Sequence, residues 1–218
     1  MPGALPPTSF NKKAEQITLQ AGLVKTRCIY LNHIALSFTN KTFTYMPAIN
    51  KAEVWLRGPL PGILPALQPV AHALLQAREE LNEIMEGFPD ALLWQGTAGA
   101  AAAGFHLQHM AGVLDRLFTY AKGQMLSAEQ LQALAAEEKP SQQNIAADLL
   151  VLQFNRQVEL SLMQLKNTPA EELFETRGVG RAQIPSTVMG LLVHAAEHTM
   201  RHLGQLLVTV KVMKSKMQ

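Results

Sequence analysis

From Gly62 to the end of the chain, apolar residues recur at three- and four-residue spacing and never settle into the alternation of a strand. Such a chain hides them only as amphipathic helices packed on one another. In the first stretch Leu67, Val70, Leu74, Leu81, Met85 and Phe88 share one stripe, with Arg78, Glu79, Glu80 and Glu83 largely off it. Pro61 and Pro65 suit the entry to this helix, and Gly87 with Pro89 its end. A Gly- and Ala-rich loop carrying Trp94 separates it from a second helix, predicted over 105–121 and stopped at Gly123. Ser127 with Gln130 is a capping-box pattern that opens a short helix reaching about Glu138. A long helix is expected over 141–165, closed by Asn167-Thr168-Pro169, and a loop with Gly178, Gly180 and Pro185 follows. Ser186 or Thr187 caps the last helix, which runs to Lys214. The expected fold is all-α: a four-helix bundle with one short extra helix. At 218 residues and 48% hydrophobic, the chain has enough apolar material for one such core.

The first 45 residues read differently. They mix Pro2, Pro6 and Pro7 with scattered Thr and Asn and a β-like patch, Cys28–Leu31, without sustained periodicity. Residues 1–45 are therefore expected to be a poorly structured extension or translated upstream sequence, with the domain over 46–218 and Met46 as an alternative start. The formal charge of +2 is unevenly spread: residues 1–57 carry +5 and the remainder −3. The basic residues of the front form no cluster, so nucleic acid is not an expected partner. No apolar run approaches the roughly 18 residues of a membrane span, and no apolar segment follows the N-terminal charges, so a cytoplasmic protein is expected. A single cysteine, Cys28, excludes an internal disulfide framework and a Cys-rich zinc site.

Five of seven histidines fall in two places. His106 and His109 lie in one predicted helix, and His194, His198 and His202 are four apart in the last. At about 100° per residue, His194, His198, His202 and Gln205 fall within about 80° of one another, on a stripe bordering the apolar face. On the other helix the side carrying His109, with Val113 and Tyr120 close to it, is likewise partly apolar. Imidazoles lined up on interior faces need partners. A divalent ion is one: two His at i and i+4 and a third from a facing helix form a three-ligand set with an open position, able to hold water or a thiolate. Hydrogen-bonded core or rim histidines are the other reading of the same pattern. Other chemistries lack their motifs. There is no pair of Glu-x-x-His helices, no H-E-x-x-H, no G-x-S-x-G elbow and no phosphate loop.

The stretches GFHLQHMAGVLDRL and HAAEHTMRHLGQL resemble the DinB-like superfamily of four-helix-bundle metalloproteins, over about Ala52 to Val212. The family's mark is one His early in the second helix, then H-x-x-x-H followed closely by Gly-Gln in the last. Here these are His109, His198 and His202, with Gly204-Gln205. The resemblance implies a divalent metal, nickel or zinc being usual, on His109, His198 and His202, and often a homodimer. His106, His194 and Gln205 would then be hydrogen-bond partners of the ligands or alternative ligands. Arg116, Arg177 and Arg181 would be candidates for gripping an anionic small-molecule substrate. Relatives include thiol-dependent transferases and a maleylpyruvate isomerase, so the implied activity is transfer of a low-molecular-weight thiol activated by the metal. The alternatives are a metal-dependent hydrolase of the same fold and a non-catalytic metal-binding stress or interaction protein.

Overall fold

In the computed structural model, which describes residues 34–39, 42–47, 52–96, 99–140 and 145–216, the apolar stripes are wound into helices. The described residues hold α1 (Gln68–Met85), α2 (Ala103–Ala121), α3 (Ala128–Ala136), α4 (Ala147–Lys166) and α5 (Val188–Ser215). The chain divides into two units, Met1–Asn50 and Lys51–Gln218, and all five helices belong to the second.

The helix ends follow local chemistry. α1 starts later than Pro61 suggests because Gln68 ties the preceding turn together. Its side chain donates to the carbonyls of Leu60 and Ile63, both at 2.9 Å, and accepts from the Leu60 N–H at 2.8 Å. α3 opens on the expected capping box, Ser127 and Gln130 each receiving the other's backbone N–H. α5 opens on Thr187, whose hydroxyl accepts the Gly190 N–H at 3.0 Å. The expected start of the third long helix at Ser141 lies outside the described residues.

α1 and α2 each pack against both α4 and α5. Between them lie Leu74 and Leu81 of α1, Leu107, Met110 and Leu114 of α2, Leu150 and Phe154 of α4, and Leu192, Leu203 and Leu206 of α5, all buried. Each such side chain contributes about 1.5–3 kcal/mol of burial, which is why the stripes and not the intrinsic helix propensities decide the packing.

Two β-hairpins correct the expectation of an all-α chain. In the first unit β1 (Ile34–Thr39) and β2 (Thr42–Pro47) pair antiparallel, with Phe38 opposite Phe43 and Ala35 opposite Met46. In β2 threonines alternate with aromatic residues over Thr42–Tyr45, a pattern that favours a strand, and the pair lies in and beside the segment expected as a poorly structured extension. The Cys28–Leu31 patch, Cys28 and His33 lie outside the described residues. In the second unit the Gly178/Gly180 loop is a hairpin of β3 (Thr176–Val179) and β4 (Ile184–Thr187), with Gly178 opposite Pro185. Gly180 takes a φ of 66° at its turn, a conformation glycine adopts without strain. Strands of four residues are too short for periodicity to announce them. No helix of the described residues is long and apolar enough to cross a membrane.

Candidate metal centre

The packing of α2 on α5 brings the two histidine rows face to face. One ligand nitrogen from each of His109, His198 and His202 lies within 4.8 Å of the other two. His109 Nε2 is 3.0 Å from His198 Nε2. The His109 and His202 ring centroids are 4.4 Å apart, and those of His198 and His202 are 4.6 Å apart. All three rings are half-buried at the rim of the core. Phe105, one turn before His109, stacks on it at 5.1 Å and 15° and covers one of its faces.

The hydrogen bonds around the cluster sort its protons. His109 Nδ1 lies 2.7 Å from Glu137 Oε2, and the other carboxylate oxygen of Glu137 takes the guanidinium of Arg116. A carboxylate so paired only accepts, so a neutral His109 carries its proton on Nδ1 and turns an Nε2 lone pair towards the cluster. His202 Nδ1 is 3.1 Å from His106 Nδ1, one N–H serving both rings. With that proton on His202, its Nε2 is left for the cluster. The buried His198 Nδ1 has no partner among the described residues. Burial first, then the neighbouring imidazoles, pushes His202 down to about 4. His106 is pushed to about 4 by burial and then by His109. His198 is lowered for the same two kinds of cause, burial leading.

These shifts carry a sign. Histidines held neutral in the fold take up fewer protons than the unfolded chain between pH 6.5 and about 4. The metal-free protein is therefore expected to lose stability as the pH falls through that window, the loss levelling off below it. Melting temperatures of the metal-free protein at pH 7 and pH 5 check this. Equal values would contradict the neutral cluster.

The other residues singled out in the sequence are dispersed. His106 is buried beside His202 as described. His194 is exposed, its Nδ1 3.6 Å from Glu197 and its ring edge against His198. Gln205 is exposed on α5, beside a groove that His106 also lines. Arg116 is 8% exposed and paired to Glu137, not standing at an open mouth. Arg177 donates to the Ala121 carbonyl at 3.0 Å and pairs with Glu175 at 2.9 Å. Ala121 ends α2, about 18 Å along that helix from His109. Arg181 is exposed in the turn of the β3–β4 hairpin. Neither is therefore brought to the cluster.

Glu137 is the residue that sequence reading missed. It caps the C-terminus of α3, a polar position after a short helix, and no motif marks it. The one trace is Gly112 in the middle of α2, where glycine is unfavourable. A Cβ at Gly112 would collide with Glu137 Oε1 and Arg116 Nη1.

Three imidazoles from two helices, one Nε2 already oriented, fit a divalent ion. Metal–nitrogen bonds of about 2.0–2.1 Å place ligand nitrogens roughly 3–3.5 Å apart, close to the distance between His109 and His198. No further His, Cys, Asp or Glu joins the group among the described residues.

Known proteins agree with this architecture. A crystal structure of a conserved protein from Enterococcus faecalis is similar at a TM-score of 0.54 and 17% identity, over 68% of this chain and 96% of that one. At that identity the likeness speaks for the fold. No curated protein matches the chain. The family model of the DinB superfamily matches residues 73–206, a span that covers more than half of the chain and includes His109, His198 and His202. The chain belongs to the DinB superfamily.

Proposed function

We propose that the helical unit is a DinB-type four-helix bundle holding one divalent ion, zinc or nickel, on His109, His198 and His202, and that it transfers a low-molecular-weight thiol to an electrophile. The observation that carries the reading is the convergence of three imidazole nitrogens within 4.8 Å, with no fourth His, Cys, Asp or Glu beside them among the described residues. A divalent ion bound there would supply Lewis acidity, lowering the pKa of a thiol so that its proton passes to solvent. The thiolate sulfur bonds to the electrophile, which releases its leaving group or, in an addition, takes up a proton. The chain's own contribution is to keep His198 and His202 neutral and to aim the rings. His106 shares a proton with His202 Nδ1, burial disfavours the protonated rings, and Phe105 covers one face of His109 and limits water there. In this reading the protein works in the cytoplasm as a homodimer, with small molecules and not nucleic acid as partners.

Zinc- or nickel-loaded protein, offered a panel of small thiols with a generic electrophile, should consume thiol and electrophile together, and the metal-free protein should not. Ester or amide cleavage in place of thiol consumption would replace transfer with hydrolysis. Neither activity, with metal bound, would make the centre non-catalytic.

A further inference from the structure

The short helix α3 presents an energetic puzzle, because none of its own residues is buried. It adds little to the core, yet it is tied to α2 at both ends. At its start the Gln130 side chain donates to Asp115 Oδ2 at 2.8 Å and to Thr119 Oγ1 at 2.9 Å. At its end the Gln108 side chain donates to the carbonyls of Glu137 at 3.0 Å and Lys139 at 2.8 Å. These ties place the one deeply buried group of the segment, Glu137, 7% exposed, over the gap left by Gly112 and against His109 Nδ1. Arg116, 8% exposed, pairs with the other carboxylate oxygen, so the buried charge is matched and the pair adds no net charge beside the cluster.

We propose that Glu137, delivered by α3 and held by Arg116, is a positioning residue that keeps His109 protonated on Nδ1, with its Nε2 lone pair turned to His198 and His202. The proposal rests on the metal-centre reading for its purpose, but its geometry stands in the metal-free protein. An acceptor at Nδ1 fixes both tautomer and ring orientation, and losing such a partner ordinarily weakens metal binding about 10–100-fold with every ligand intact. Without Glu137, His109 is free to carry its proton on Nε2, the atom that would ligate.

Removing Glu137 alone would strand the Arg116 charge, so the test replaces both. Glu137→Leu with Arg116→Met exchanges the buried ion pair for apolar groups, a change that folds tolerate. Glu137→Gln with Arg116→Met keeps an amide oxygen able to accept from Nδ1. Nitrogen-15 imidazole spectra of the metal-free proteins should show the Nδ1–H form of His109 in wild type and its loss in the Leu/Met variant. Zinc titration should show binding about 10–100-fold weaker in the Leu/Met variant and tighter binding in the Gln/Met variant than in Leu/Met, at similar melting temperatures. An unchanged tautomer, or zinc binding by Leu/Met equal to wild type, overturns the proposal. If wild type takes up no zinc, the metal reading fails, and the tautomer comparison alone then decides the role of Glu137.

Discussion

His198→Ala, purified without a His tag and equilibrated with zinc, is expected to lose nearly all of its bound metal, while His72→Ala keeps the wild-type amount. The two substitutions remove the same group from very different surroundings. His198 Nε2 lies 3.0 Å from His109 Nε2 inside the cluster. The imidazole of His72, in α1, meets the carbonyl of Gly58 at 3.1 Å. Removing one of three ligands costs more than removing a partner of a ligand, so a loss of at least about 100-fold in affinity is expected. Elemental analysis of the dialysed proteins reads the difference. Equal metal in both variants would break the ligand assignment.

Phe154→Ala is expected to produce the largest loss of stability without touching the site. Phe154 is fully buried in α4, and the hydrogen bonds and ring contacts of His109, His198 and His202 run to other residues. Truncating such a ring costs about 3–5 kcal/mol, a large part of the 5–15 kcal/mol typical of a whole domain. For a unit of this size that corresponds to a fall in melting temperature of roughly 6–20 °C. Metal content at temperatures where the variant is still folded should match wild type. A melting temperature within a degree or two of wild type would contradict the packing of α4 described here.

The contrast between these two substitutions shows what a sequence of this kind makes legible. The core could be read from the helical stripes, because burial on one face repeats every three or four residues and the repeat survives single exceptions. The histidine row was also legible, but its division was not. With His198 as reference, the buried residues Ala195, Leu206, Thr199, Leu192 and Leu203 of α5 sit between about 60° and 140° around the helix. His202, at about 40°, leans into the packed side, whereas Gln205 and His194, at about −20° and −40°, lean out to solvent. The rows were placed correctly as a border, and only the direction of the neighbouring helix decides which end of the border is inside.

Contacts between distant segments left weaker traces. Arg116 falls close to His109 on the helical projection, as a substrate-gripping residue would, but whether solvent or another element faces it depends on α3. Because α3 lies across that side, Arg116 meets Glu137 in the interior. Glu137 follows a capping box that is readable, yet the approach to Gly112 that gives it meaning joins segments more than twenty residues apart. The hairpins were missed for a different reason. β3 and β4 hold four residues each, too few for alternation to rise above the loop, and Gly178 and Pro185 mark a turn without revealing the pairing.

Every role proposed for the centre depends on one divalent ion being held jointly by His109, His198 and His202. Anomalous diffraction from crystals grown with zinc, measured on either side of the zinc edge, tests it most directly. One strong peak per chain is expected, about 2.0–2.1 Å from a nitrogen of each of the three rings. A peak held elsewhere, as at exposed His194 and Glu197, or none between α2 and α5, would contradict it.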